Sequence, residues 1–194
     1  VNGYYLDFKG PSTNYNHGDG PTHYRDNVVM NVIGRQDFTY TGGNARLELP
    51  LDALNTKVTA IGAYDKRELE GRSDGDFLSL DIVRANGTGT DKTYTGELRF
   101  DTTFSDTFST LVGLYASREE SDAVSGQTLV PAARTATTFS ERSGDTYSIF
   151  ATGLWRFAED WELSAGVRVD EEDREQDSRT TLSTLPGVVL TDPH

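Results

Sequence analysis

The feature that most constrains this chain is a strict alternation of apolar and polar residues. Over residues 161–170 the odd positions hold Trp, Leu, Ala, Val and Val, whereas the even positions hold Glu, Ser, Gly, Arg and Asp. Because successive side chains of a β-strand point to opposite faces, this pattern predicts a strand with one apolar and one polar face. A tilted strand needs about ten residues to cross the hydrocarbon core of a bilayer, and the alternation lasts that long.

Similar alternation recurs along the chain and predicts six strands in three hairpins. The paired segments are 44–51 with 56–67, 93–102 with 107–118, and 146–157 with 161–172. Tyr4, Leu6 and Phe8 indicate the end of a seventh strand. No apolar run reaches the roughly 18 residues of a transmembrane helix. The sequence therefore predicts an all-β, antiparallel fold of about six to seven strands.

The connections between these segments are of two lengths. Within each hairpin they comprise residues 52–55, 103–106 and 158–160, which suits tight antiparallel turns. Between hairpins, residues from about 68 to 92 and from about 119 to 145 are rich in Gly, Ser, Thr and Asp and are predicted to be long loops. This asymmetry is typical of outer-membrane β-barrels, which have short periplasmic turns and long extracellular loops.

Aromatic residues concentrate at both ends of the predicted strands. The short-turn end has Phe100, Phe104, Phe108, Trp155, Phe157 and Trp161, and the long-loop end has Tyr64, Tyr94, Tyr115 and Tyr147. Transmembrane barrels have such aromatic girdles at both membrane interfaces. Together with the loop asymmetry, the girdles favour a transmembrane β-barrel over a soluble β-sandwich, in which the apolar face would form a core.

Composition and motifs exclude several functional classes. The net charge is −13, so nucleic acid is not an expected partner, because phosphate contacts need clustered Lys and Arg. The absence of Cys excludes disulfides and Cys-based zinc sites. The sequence contains no nucleophile-elbow, P-loop or zinc-protease motif. We therefore predict that the protein is not an enzyme and needs no cofactor.

Charged residues on the polar face of the predicted strands are candidates for the lumen of a barrel. The set comprises Arg46, Glu48, Glu97, Arg99, Glu162 and Arg168. Opposite charges on neighbouring strands can pair across the ladder, which makes a hydrated interior tolerable.

Two acidic runs and one loop are further candidate sites. Residues 119–122 and 170–173 contain clustered carboxylates and are predicted to be solvated strand ends, with divalent-cation binding as the alternative. A Gly- and Pro-rich segment contains Tyr15, His17, His23 and Tyr24. We predict that this segment is an extracellular loop that contacts a ligand, whereas a transition-metal site is the alternative.

Several strings resemble the barrel of TonB-dependent receptors. Residues 57–64 (KVTAIGAY) resemble a family strand of the type LTSITAY, and residues 95–100 (TGELRF) resemble QELRL. Residues 112–120 (VGLYASREE) are similar to the partner strand GLYY…REE. Residues 147–150 and 163–168 are similar to the pair YALFG and LTAGLRY, although Val169 stands where Tyr is common. The resemblance covers about residues 27–175.

The resemblance implies that residues 1–194 are part of a barrel of about 22 strands, plugged by an N-terminal domain of the same full-length chain. It implies a receptor in the outer-membrane lipid bilayer, energised by TonB through segments outside this sequence. The polar-face residues would then contact the plug. The expected ligand is a small molecule or metal chelate, above all a ferric siderophore, with cobalamin or a glycan as alternatives. The alternative function is that of a porin-like channel, which has no plug.

Overall fold

A computed structural model describes residues 1–12 and 30–184, which form one antiparallel sheet. Each strand pairs with its neighbours in chain order. The strands are β1 (Asn2–Pro11), β2 (Arg35–Leu51), β3 (Thr56–Asp74), β4 (Val83–Ser105), β5 (Phe108–Leu129), β6 (Arg134–Ala158) and β7 (Trp161–Thr184). The predicted antiparallel β-barrel fold class is confirmed, and β1 is the seventh strand that Tyr4, Leu6 and Phe8 indicate. In this described part, no helix has the length and apolarity needed to span a membrane.

The strands extend far beyond the predicted boundaries, and the two predicted long loops are wrong. Residues 68–92 and 119–145 are mostly strand, and the connections shrink to residues 75–82 and 130–133. Opposed pairs such as Glu68 with Thr90 and Glu120 with Ser143 continue the ladder through these segments. A bilayer needs only about 9–11 residues of tilted strand, whereas β4 has 23 and β6 has 25. The strands are therefore much longer than a bilayer crossing requires, and the excess length lies on this side.

The opposite end of the sheet has the predicted short turns. Between β2 and β3, residues Asp52–Leu54 form one turn of 3-10 helix, and Asn55 closes it with a φ of 46°. A left-handed backbone of this kind is tolerated by Asn better than by most residues. The β4–β5 and β6–β7 turns contain two residues each, at positions 106–107 and 159–160.

The register divides the side chains between two faces, because directly opposed residues of an antiparallel ladder share a face. The polar face is defined by one row across the sheet: Arg46, Ile61, Glu97, Tyr115, Ser148 and Asp170. The apolar face is defined by the adjacent row: Leu47, Ala60, Leu98, Leu114, Ile149 and Val169. The alternation in the sequence thus becomes two chemically distinct surfaces.

The apolar face is uncovered. Among the described residues, Ala133 is the only buried hydrophobic side chain, whereas Leu114 is 48% exposed and Ile149 is 54% exposed. A β-sandwich requires a second sheet packed over this face, and the seven strands of residues 1–12 and 30–184 form a single layer. The described residues thus do not form the sandwich that the sequence left as an alternative, and an exposed apolar band of this kind suits contact with lipid.

Aromatic rings cluster at both rims of the apolar band. Near the short turns, the Phe104 and Phe108 rings are 5.7 Å apart and the Trp155 and Phe157 rings are 5.5 Å apart. At the other rim the Tyr64 and Tyr94 rings are 5.0 Å apart. Tyr115 is an exception to the predicted girdle, because it lies on the polar face opposite Glu97 and Ser148.

Candidate functional site

All six predicted lumen residues lie on the polar face. Arg46 and Glu97 belong to the row that defines it, and the next row contains Glu48, Thr59, Arg99, Gly113, Phe150 and Arg168. Glu162 lies near the short turns, opposite Arg156. Its carboxylate is 3.6 Å from the Arg156 guanidinium. The function of these residues stays a prediction, but the strand register brings them to one surface.

We call the part of the polar face that contains the rows of Arg46 and Glu48, together with Glu162, the lower wall. Its charges are neutralised mainly along single strands. Arg99 donates to both carboxylate oxygens of Glu97, at 2.6 and 3.0 Å. Arg46 and Glu48 form the equivalent pair on β2. The expected pairing between neighbouring strands occurs for Glu162 with Arg156. Arg46, Arg99 and Arg168 instead pair with a carboxylate two positions away on the same strand. The lower wall therefore has little uncompensated charge.

Arg168 is the centre of a cluster of polar and aromatic contacts on the lower wall. Its guanidinium donates to Asp170 at 2.7 Å and to the hydroxyl of Ser148 at 2.8 Å. The same guanidinium lies 5.5 Å from the centre of the Tyr115 ring and 5.9 Å from that of Phe150. Cation–π contact and charge-assisted hydrogen bonds fix this side chain against the wall.

A concavity lies beyond the lower wall, on the part of the polar face that is farther from the short turns. We call it the upper groove. It has a volume of about 740 Å³. Two adjacent rows of the ladder supply its principal side chains, which are Tyr4, Tyr40, Asp65, Arg67, Asp91, Glu119, Ser121, Arg142 and Arg174.

Most charged groups in the upper groove are paired. Arg67 donates to one oxygen of Asp91 at 2.7 Å, and Ser121 donates to the other oxygen at 2.7 Å. Arg174 pairs with Glu172 on its own strand. The side-chain hydrogen bond to Asp91 raises the pKa of Arg67. These contacts leave the floor of the groove polar but balanced in charge.

Tyr4 lies flat across the wall because Gly42 leaves space for it. A Cβ atom at position 42 would be 2.5 Å from the Tyr4 hydroxyl and 2.6 Å from Asp65. The Tyr4 hydroxyl donates to Asp65 over this gap. That hydrogen bond raises the pKa of the Tyr4 phenol, so the hydroxyl keeps its proton and its role as donor.

Arg142 differs from the other arginines of the groove. Within residues 1–12 and 30–184 it has no hydrogen bond and no ion pair, and its side chain is exposed in the groove. It shares a row with Arg67, Asp91 and Ser121. A guanidinium offers five N–H donors in a planar fork that matches an oxyanion. Arg142 is thus available to an anionic group that enters the groove.

The structure does not support a metal site in the part of the chain that it describes. No group of three or more His, Cys, Asp or Glu side chains there could hold a metal ion. The acidic run 119–122 shows why, since Glu119 and Ser121 point to the polar face and Glu120 and Asp122 to the opposite face. The candidate ligand loop with Tyr15, His17, His23 and Tyr24 lies outside the described residues.

Sequence reasoning missed the upper groove because it placed four of its nine principal side chains in predicted loops. Arg142, Asp91 and Ser121 fall within segments 68–92 and 119–145. The available signal was weak: these segments are rich in Thr and Ser and almost free of Pro, and Pro131 stands in a true connection.

Comparison with known proteins gives one result. A family model described as TonB dependent receptor-like, beta-barrel, matches residues 1–193. A search of curated proteins gives no match.

Proposed function

Since the chain belongs to the TonB-dependent receptor-like β-barrel family, we propose that it forms part of the wall of a receptor that imports an anionic metal chelate, specifically a ferric siderophore. The family is one of outer-membrane transporters. The apolar face then contacts lipid, and the polar face lines the lumen. The short turns lie on the periplasmic side and the upper groove on the extracellular side.

The observation that carries this proposal is Arg142 in the upper groove. Ferric catecholate and ferric citrate chelates present oxygen-rich, negatively charged surfaces, which suit a guanidinium without a carboxylate partner. The Tyr4 and Tyr40 rings line the same groove on its β1–β2 side and offer apolar surface there. The volume of about 740 Å³ lies within the usual range for small-molecule sites, about 300–1,000 Å³. Neutral glycans have no group that requires Arg142, and cobalamin has a single phosphodiester, whereas an anionic ferric chelate presents several charged oxygens.

The lower wall supports a second element of the proposal, contact with the plug. Arg46, Arg99 and Arg168 each have a carboxylate partner two positions away on the same strand. A wall that neutralises its own charges can face water or a plug surface, and it keeps its structure when the plug moves. This arrangement suits a transporter whose plug is displaced by energy supplied through TonB.

The test uses the full-length receptor with the substitution Arg142→Gln. Loss of a hydrogen bond between charged groups costs about 1.5–3 kcal/mol, so binding of a ferric tris-catecholate or of ferric citrate should weaken about 10- to 150-fold. Arg179→Gln is the matched control. Arg179 lies on the opposite face, 5.6 Å above the Phe139 ring, and its loss should leave the affinity unchanged.

Titration calorimetry and uptake of radioactive iron separate binding from transport. Wild-type cells should accumulate the chelate only when TonB is present, whereas binding to the purified receptor should not need TonB. Equal affinity of the wild type and Arg142→Gln for both chelates, or tight binding of cyanocobalamin alone, would refute the substrate class. Uptake that persists without TonB would favour the porin-like alternative.

A further inference from the structure

Cationic side chains lie on the outer, lipid-facing surface immediately above its tyrosine band. Lys66 and Lys92 are directly opposed in the β3–β4 ladder, two positions beyond the opposed pair Tyr64 and Tyr94. Arg118 lies opposite Tyr94 on β5 and shares this surface. Tyrosines of a transmembrane barrel lie at the headgroup level. The three cations therefore lie at the height of the outer-leaflet headgroups.

The pair Lys66 and Lys92 is electrostatically unfavourable by itself, since like charges directly opposite in a ladder repel. The Lys66 ammonium forms an ion pair with the Glu68 carboxylate, with 2.7 Å between Nζ and Oε1. Lys92 has no ion pair or hydrogen bond within residues 1–12 and 30–184. Its other neighbour in the ladder is Glu120. The Glu120 carboxylate accepts a hydrogen bond from Arg118 at 2.9 Å, so Lys92 lacks a counter-ion.

A groove of about 700 Å³ runs along the apolar face directly below these cations. Its base is formed by the small residues Ala60, Gly96 and Ala116, and its sides include Leu98, Leu114, Tyr147 and Ile149. No atom lies within 4 Å of a Cβ built at Gly96. Packing within the sheet therefore does not require glycine at this position, and the space above it is open to an occupant.

We propose that this surface binds one membrane lipid with a negatively charged phosphate headgroup. The phosphate occupies the position between Lys66 and Lys92, and an acyl chain fills the groove over Gly96. The apolar groove is continuous with the lipid-facing band. Above it, Arg118 is neutralised by Glu120 and Asp145 and Lys66 by Glu68, so Lys92 is the cation that remains for a phosphate. Lys92 and Gly96 are four residues apart, about 14 Å along a strand, which a flexible lysine and the glycerol backbone of a lipid span together.

The headgroup and the acyl chain should contribute separately to the binding of the lipid. Native mass spectrometry of the full-length receptor in detergent measures retention of phosphatidylglycerol and of phosphatidylcholine with the same acyl chains. The wild type should retain phosphatidylglycerol preferentially. Lys92→Gln should lower its retention about fivefold, the expected effect of one cation near a lipid surface. Gly96→Leu, which fills the groove without a clash, should lower retention of both lipids.

Each variant has a matched control on the same face. Lys9→Gln removes a lysine that pairs with Asp7 at 3.1 Å and lies four residues along the ladder beyond the level of Lys66. Gly153→Leu adds the same side chain near the short-turn rim, where a Cβ would be 3.8 Å from Phe108. Neither control should change retention, and thermal unfolding without lipid verifies that all four variants fold.

Three outcomes would overturn the proposed headgroup site. These are equal retention of the two lipids by the wild type, an effect of Lys9→Gln as large as that of Lys92→Gln, and displacement of the lipid by millimolar inorganic phosphate. The last result would indicate an anion site without a role for the groove. Unchanged retention in Gly96→Leu would likewise remove the acyl chain from the groove.

Discussion

Asp74 joins two segments at the end of the sheet opposite the short turns by hydrogen bonds. Its replacement by Asn is the most direct test of what stabilises that end. The side chain is 2% exposed. One carboxylate oxygen accepts the backbone N–H of Asn31 at 2.9 Å. The other accepts those of Asp76 at 3.1 Å and Phe77 at 2.9 Å. Residues ahead of β2 are thereby tied to the connection between β3 and β4.

The substitution Asp74→Asn removes one of the two acceptor oxygens, whichever way the amide is turned. An amide has one acceptor oxygen, and its NH₂ group can only donate. One set of buried backbone N–H groups is left facing a donor. Each hydrogen bond to a charged group contributes about 1.5–3 kcal/mol, so the local free energy of opening should fall by about 2–4 kcal/mol.

Hydrogen exchange measures this opening at individual residues. A loss of about 2–4 kcal/mol corresponds to about 30- to 700-fold faster exchange of the Asn31 or Phe77 amide. Glu159→Gln is the control, because Glu159 lies in the β6–β7 turn at the opposite end of the sheet. It should leave these amides unchanged. If Asp74→Asn also left both amides as protected as in the wild type, the hydrogen bonds of Asp74 would contribute nothing to the stability of this end of the sheet.

Acidification tests the same contact with the sign fixed by the pKa. Burial by itself would raise the pKa of Asp74, but hydrogen bonds from backbone amides, foremost that of Asn31, outweigh it and lower the pKa below the ordinary 3.8. A group whose pKa is lowered on folding stabilises the fold above its unfolded pKa. That stabilisation is lost as the pH falls through the folded pKa. Protection of Asn31 should therefore be constant from neutral pH down to about 5 and decline only in stronger acid.

Three further substitutions test other parts of the structure. Gly42→Val should displace Tyr4 from Asp65 into the upper groove and weaken binding of a ferric chelate, measured by calorimetry, without loss of fold. Leu114→Lys should lower the free energy of folding into liposomes by about 2–4 kcal/mol, as expected for a cation on the lipid face. Ser117→Lys, on the polar face, should not. Arg168→Met, which breaks both polar contacts of that side chain, should lower the thermal unfolding midpoint and leave the ligand affinity unchanged.

The sequence predicts the membrane-spanning part of the fold well, for a physical reason. Where lipid covers one face, an apolar residue is required at every second position, and Leu98, Leu114 and Ile149 follow that rule. The pairing within the three hairpins follows from the short turns between them. The predicted position of Tyr115 in the girdle is wrong because it rests on aromatic character alone. Tyr115 has an odd number on β5, and the residues of β5 on the apolar face have even numbers.

The upper halves of the strands could not be found by the same reasoning. Above the membrane both faces meet water, so the residues no longer alternate, and Ser, Thr, Gly and Asp appear on either side. The backbone ladder continues nonetheless, because edge-to-edge hydrogen bonds do not depend on an apolar face. Arg142 was consequently assigned to a loop, and its position in the upper groove follows only from the register that joins it to Ser121.

The same alternation gives neighbouring residues separate functions in the proposed receptor. Lys66 and Arg67 are adjacent in the chain, as are Asp91 and Lys92. In each pair one side chain points into the upper groove and the other toward the lipid. A shift of the register by one residue would exchange the two and place the lysines in the lumen and the Arg67–Asp91 pair in the headgroups. The ligand groove and the lipid site therefore depend on a single register, and the long, continuous pairing of β3 with β4 from Thr56 to Asp74 is what keeps it from slipping.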